Sequence, residues 1–173
     1  MRFEVYGEFR ISITPGRRID RELMDAFWSE VNITTVGLSA AIGCYVFGVR
    51  PSGGQRITPW YVGKTMRGFE FECFQSHKII RYEDALHKYK RGRAMMFLIP
   101  KCTKTGEFAT GGSSKPVDFL EKYLIGLALK TNPDLRNARD TKMYRELYVP
   151  GLVNAGQGNP GAGAQSLKRS LGI

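Results

Sequence analysis

The chain has 173 residues, 42% hydrophobic and 24% charged, with ten Phe, eight Tyr and two Trp, enough apolar material for one domain with a real core and too much for wholesale disorder. Its formal net charge of +10 and pI near 9.7 favour polyanionic partners, nucleic acid first, with generic solubility as the plainer explanation. The longest uncharged stretch, Asn32 to Val49, is broken by Thr, Ser and Gly and falls short of the ~20 apolar residues of a spanning helix; Arg2, Glu4, Glu8 and Arg10 interrupt any signal-peptide segment, so a cytoplasmic protein without membrane contact is expected.

In chain order, FEVYGEFRISI has the composition of a strand or hairpin, TPGRR is a turn, and a helix is expected from about Asp20, with Leu23, Phe27 and Val31 four apart on one side. CYVFGV and PWYVGKT are β-rich runs joined by the turn residues of PSGGQRITP, which predicts a hairpin with a long loop. Helical stretches follow over Phe69 to Lys78 and Tyr82 to Lys90; the second carries Glu83/His87 and Asp84/Lys88 at i,i+4 spacing and is expected to stop at Gly92. AMMFLIP is a short apolar strand closed by Pro100, and KTGEFATGGSSK is a polar loop. Ser114, with Pro116 in the first turn, opens a helix through Lys130 that stops before Asn132-Pro133. The tail from Pro150 to Gln165 is rich in Gly, Pro, Ala and Asn, so no regular structure is expected there, and SLKRSLGI adds a last turn of helix.

Several motifs fail on inspection. Cys44, Cys73 and Cys102 lack any C-x-x-C spacing, which excludes a disulfide framework or zinc site and suits a reducing compartment. Gly63-Lys64-Thr65 matches the end of a phosphate-binding P-loop, but the first glycine of that pattern falls on Thr58. Gly156, Gly158 and Gly161 satisfy G-x-G-x-x-G, yet Pro160 interrupts them and too few residues follow for a dinucleotide-binding unit.

A different constellation survives. An antiparallel hairpin brings Tyr45 and Tyr61 close together, either as two phenols of one site or as half-buried aromatics packing across strands. On the later helix, Val117, Leu124, Ile125 and Ala128 surround Glu121. A carboxylate in an apolar arc requires a cation, a hydrogen-bond donor or a metal, and a structural ion pair with Lys or Arg is one answer. Lys88, Lys90, Arg91 and Arg93 form the densest basic run, with Tyr82 and Tyr89 placed to stack on bases; this is either a phosphate track or a solvated helix face.

These residues resemble the GIY-YIG nucleases. The half-motifs are Gly43-Cys44-Tyr45 and Tyr61-Val62-Gly63, extended by Lys64-Thr65; LEKYLI followed by NPDLRN is similar to the segment with the family's metal-binding glutamate and a following asparagine. The resemblance covers residues 36–140 of a chain taken as a single domain, 1–173. It implies an α+β fold with a small, mainly antiparallel three-stranded central sheet flanked by helices. The strand and helix of 1–35 and the glycine-rich tail of 150–173 lie outside that core. It further implies a Mg2+- or Mn2+-dependent endonuclease that hydrolyses phosphodiester bonds in nucleic acid, DNA ahead of RNA. In that scheme Glu121 is the metal ligand, Tyr45 helps activate water and Tyr61 organises the site. Lys64, Lys78 and Asn137 join the basic run against nucleic acid. The family's arginine position falls on Phe71, among Glu70, Glu72 and Cys73; Arg67, then His77, then Lys78 and Arg81 are the cations expected to take its place. Tyr45, Tyr61 and Glu121 should then converge on one concave surface near Lys64 or Arg67. The alternative is a catalytically inactive nucleic-acid or protein-binding module of the same type.

Overall fold

The computed structural model describes residues 1–137, 141–147 and 161–172, apart from the Met143 side chain. The elements are β1 (Arg2–Phe3), β2 (Tyr6–Ile11), α1 (Arg21–Thr34), β3 (Gly43–Pro51), β4 (Thr58–Thr65), α2 (Phe69–Glu72), α3 (Ser76–His87), β5 (Gly92–Cys102), α4 (Lys115–Thr131), α5 (Thr141–Glu146) and α6 (Ala162–Leu171). The chain divides into two compact units, Met1–Asn137 and Ala138–Ile173.

The first unit is α+β, built on an antiparallel open sheet of five strands rather than three. β5 pairs with β3 and β3 with β4, while β1 and β2 both pair with the other edge of β5. The N-terminal segment is therefore no hairpin: Arg2 lies opposite Cys102 and Tyr6 opposite Leu98, so the two short strands follow one another along one long edge. An apolar strand as long as β5 leaves an unpaired edge unless something covers it, and the N-terminal residues do so.

Two layers of helices sandwich the β3–β4 hairpin. On one face α1 and α3 pack over Tyr45, Phe47, Val49, Met96 and Leu98, with Phe27, Val31, Tyr82 and Leu86 buried among them. Helix α1 starts where its sequence predicts, because the Asp20 carboxylate accepts the Leu23 N–H at 3.0 Å. The two helical stretches expected after β4 are redistributed: α2 is a single turn, the chain is interrupted through Gln75, and α3 runs unbroken from Ser76. Gly92 opens β5 instead of ending a helix. On the other face α4 packs on β4, with Val117 against Cys44 and Ile99.

In the second unit, α5 was not anticipated from sequence, and the last turn expected at SLKRSLGI extends to a ten-residue helix ending at Gly172 in the left-handed conformation. Of the glycine-rich tail expected to be irregular, 150–165, residues 150–160 lie outside the described residues. No helix among the described residues is long and apolar enough to cross a membrane.

Candidate active site

Both half-motifs lie on facing strands, with Tyr45 opposite Gly63 and Cys44 opposite Lys64. Their glycines are needed for close approach. A Cβ on Gly63 would stand 2.3 Å from the Tyr45 Cζ and hydroxyl, and one on Gly43 would stand 2.2 Å from the Ile99 carbonyl oxygen. The Tyr45 ring thus lies across the β4 backbone, 6.3 Å from the Tyr61 ring in a stacked arrangement and edge-on to Phe69. Tyr45 is wholly buried, and its hydroxyl makes no well-formed hydrogen bond among the described residues, the Tyr82 hydroxyl being the polar group it acts on. Burial pushes its phenol well above the ordinary value. Burial also raises that of Tyr61, opposed by the Arg81 guanidinium 5.8 Å from its ring centroid and reinforced by Glu121 and Glu72. Both phenols are protonated donors at neutral pH.

The cations beside these rings differ from those ranked first. Arg67 is exposed and lies 5.8 Å over the Phe71 ring, and His77 is exposed on the first turn of α3. Lys78 is the buried one. Its ammonium sits 5.4 Å over the Tyr45 ring, donates to the Glu72 carbonyl at 2.8 Å and is ion-paired with the Glu72 carboxylate. The signal for this was present but unread: Lys78 shares the spacing of Tyr82, Ala85 and Leu86, the buried stripe of α3.

Glu121 faces a different partner. The Lys64 ammonium lies 2.7 Å from Glu121 and 2.9 Å from Asp118, one turn earlier on α4. The Glu121 side chain retains 15% exposure and Lys64 37%, so the apolar arc is open at one side rather than sealed. Burial by itself would lower the Lys64 pKa, but hydrogen bonds to Glu121 and Asp118 raise it above the usual value. The same Lys64 bond holds Asp118 below the usual carboxylate range. Beneath them, burial and the Glu121 charge push the Cys44 thiol up to about 12, which leaves it unreactive. Asp118 was not singled out in the sequence, although its i,i+3 relation to Glu121 was readable.

Strand alternation separates these groups. Tyr45 and Tyr61 belong to the face under α2 and α3; Lys64, Asp118 and Glu121 belong to the α4 face. The expected convergence on one concave surface is therefore divided by the hairpin, with Tyr45 sealed in the core. Tyr61 alone is felt from both sides, since β4 is the sheet edge and the Glu121 charge raises its phenol.

The segment NPDLRN closes that edge. Asn132 Nδ2 donates to the Pro59 carbonyl at 2.8 Å and the Arg136 N–H donates to the Trp60 carbonyl at 2.8 Å. Asn137 meets Val62 twice, donating to its carbonyl at 2.6 Å and accepting its N–H at 2.9 Å. The Asn137 amide, assigned to nucleic acid by resemblance, is engaged in this backbone clamp. Tyr82 and Tyr89 are likewise not free to stack on bases. Tyr82 is buried with its ring 4.1 Å from Phe47, and Tyr89 accepts the Trp60 indole N–H at 3.0 Å. Lys88, Lys90, Arg91 and Arg93 are exposed in and after the turn from α3 to β5.

Among the described residues no three His, Cys, Asp or Glu side chains gather to hold a metal. Asp118 and Glu121 nevertheless supply the hard oxygen donors that Mg2+ takes from proteins, one or two carboxylates with water completing the shell. A divalent ion there would compete with the Lys64 ammonium for the same oxygens. No protein-family model, curated protein or solved structure matches the chain.

Proposed function

We propose that the protein is a divalent-metal-dependent phosphodiesterase of the GIY-YIG type, acting on nucleic acid with DNA ahead of RNA. One observation carries the reading: a single ammonium, Lys64, bridges two carboxylates of α4 on the strand that bears the second half-motif. That cluster holds a cation in a partly exposed position, with its charge felt by the half-buried Tyr61 on the other face of the hairpin, and the donor set suits Mg2+ or Mn2+. When bound, the ion supplies Lewis-acid stabilisation of phosphoryl oxygens. The chain's own groups do the rest. Asp118 and Glu121 hold the ion, and Lys64, released from them, is free to pair with a phosphate. Tyr61, protonated under Arg81, offers a hydroxyl donor at the edge of the sheet. Lys78, held by Glu72, lies over the Tyr45 ring rather than meeting substrate.

A second reading, nucleic-acid binding without cleavage, is favoured by Tyr45, whose hydroxyl is wholly buried and so does not reach a substrate. Incubation with supercoiled plasmid, single-stranded DNA and RNA in Mg2+, Mn2+ or EDTA decides between them. Cleavage that needs metal and disappears in Glu121→Gln supports the enzyme; binding with no metal-dependent cleavage of any substrate leaves the binding module.

A further inference from the structure

Beyond the tyrosines and Glu121, the loop from β3 to β4 meets the start of β5 in a cleft of about 450 Å3 lined by Arg50, Ser52, Gly53, Gly54, Arg91 and Arg93, among others. Arg50 pairs directly with Arg93 across β3 and β5. Like charges facing each other in an antiparallel ladder destabilise it, so this arrangement costs the fold something unless an anion comes between them. Glu8 is ion-paired with Arg50. Arg91 and Arg93 are exposed and take part in no ion pair among the described residues. Three guanidiniums against one carboxylate leave the cleft positive, with planar donor forks that match phosphate oxygens. The rim is tied down: the Ser52 N–H donates to the Arg91 carbonyl at 3.2 Å and the Gly54 N–H to the Pro51 carbonyl at 3.0 Å. Gly53 and Gly54 leave that rim free of side chains, and the cleft open to a large anion.

We propose that this cleft is a second anion site that grips a backbone phosphate of the nucleic acid, remote from the bond acted upon. The inference rests on the nucleic-acid reading above and adds a distance to it. Arg50 and Cys44 lie on the same face of β3, and Cys44 is opposite Lys64. Six residues of antiparallel strand span about 20 Å, which is about six base pairs of duplex at 3.4 Å per pair. The cleft thus anchors the duplex about half a helical turn from the carboxylates.

The test is equilibrium binding of the full chain to a fluorescent 20-base-pair duplex in EDTA across a salt series. Wild type is compared with Arg91→Ala/Arg93→Ala and with a control of equal charge loss, Arg18→Ala/Arg21→Ala, both exposed positions outside the cleft. The slope of log affinity against log salt should fall by about 0.9 units in the first variant, the contribution of one phosphate contact, and remain near wild type in the control. Equal slopes in both variants, whether lowered or unchanged, overturn the cleft while leaving nucleic-acid binding intact. Cleft-dependent binding without metal-dependent cleavage keeps the inference and removes the enzyme; failure of the wild type to bind removes both.

Discussion

The β3–β4 hairpin presents two faces that share a backbone and almost nothing else. Under α2 and α3 it is aromatic and closed: Tyr45, Phe47 and Tyr82 are wholly buried, and the Lys78 ammonium group belongs to a residue only 4% exposed. Under α4 it is ionic and half-open, with Lys64 shared between Asp118 and Glu121. The first face stabilises the fold by excluding water from large rings. Partly solvated ion pairs such as those of the second contribute little net stability. Cost and consequence therefore separate. Substitutions on the aromatic face should be read in melting experiments, and those on the ionic face in metal and substrate experiments.

The sharpest way to break this contrast is Phe47→Ala. Phe47 is fully buried with its ring 4.1 Å from Tyr82, so a urea melt should show a loss of about 3–5 kcal/mol; a loss below about 1 kcal/mol would mean that this face does not carry the fold. Next comes Gly63→Ala, where the new methyl meets the Tyr45 ring at 2.3 Å. The strand cannot yield without moving the ring, and about 1–3 kcal/mol is expected from overpacking. If the melt is unchanged, Tyr45 does not lie across β4.

Tyr45→Phe runs in the other direction. Its hydroxyl is buried without a well-formed hydrogen bond, so removing it should leave stability level or raise it by about 1 kcal/mol. If cleavage is found, the same variant shows whether the phenol is used: lost cleavage at undiminished stability assigns it a chemical role, and a destabilised variant reveals a hydrogen bond to that hydroxyl.

Glu121→Gln should change stability in EDTA by about 1 kcal/mol or less, since the Lys64 partner is partly solvated and keeps Asp118. Metal-dependent cleavage should nevertheless vanish. A loss of several kcal/mol in EDTA would return Glu121 to a purely structural pair.

The smallest expected effect is with acid. The Lys64 bond lowers the folded-state pKa of Asp118, so its contribution is complete above the unfolded value of about 3.9 and is lost as pH falls through the folded value. At 38% exposure of the Asp118 side chain the contribution is on the scale of a surface pair, about 0.2–1 kcal/mol. Melts of wild type and Asp118→Asn should differ at pH 6 and converge as the pH falls through the folded-state value of Asp118; a difference that persists once the carboxyl is protonated would show that the charge is not the cause.

Much of the fold was legible because local chemistry specified it. Asp20 capped its helix, Pro116 marked the first turn of α4, and the β-branched and aromatic runs around both tyrosines formed a hairpin with those residues on one face. The helices after β4 were legible in content and not in boundary, because the stop at Cys73–Gln75 depends on how Lys78 reaches back to Glu72 rather than on a breaker residue. The burial of Lys78 is legible from its place on the stripe of Tyr82, Ala85 and Leu86, but the Glu72 carboxylate and carbonyl that receive its ammonium come from a neighbouring element.

The residues and their order determined which groups lie on each strand and helix: Tyr45 and Tyr61 on one hairpin, Glu121 one turn beyond Asp118 on one helix, and the basic run from the end of α3 into the start of β5. Only the tertiary structure decided what each group faces. It added the N-terminal strands to the edge of β5, engaged Asn137 along the edge of β4, and brought Arg50 opposite Arg93. It also placed the α4 carboxylates across the sheet from the Tyr45 ring. Strand pairing and helix docking join residues far apart in the chain, and their energies depend on packing and desolvation that no local window of sequence contains.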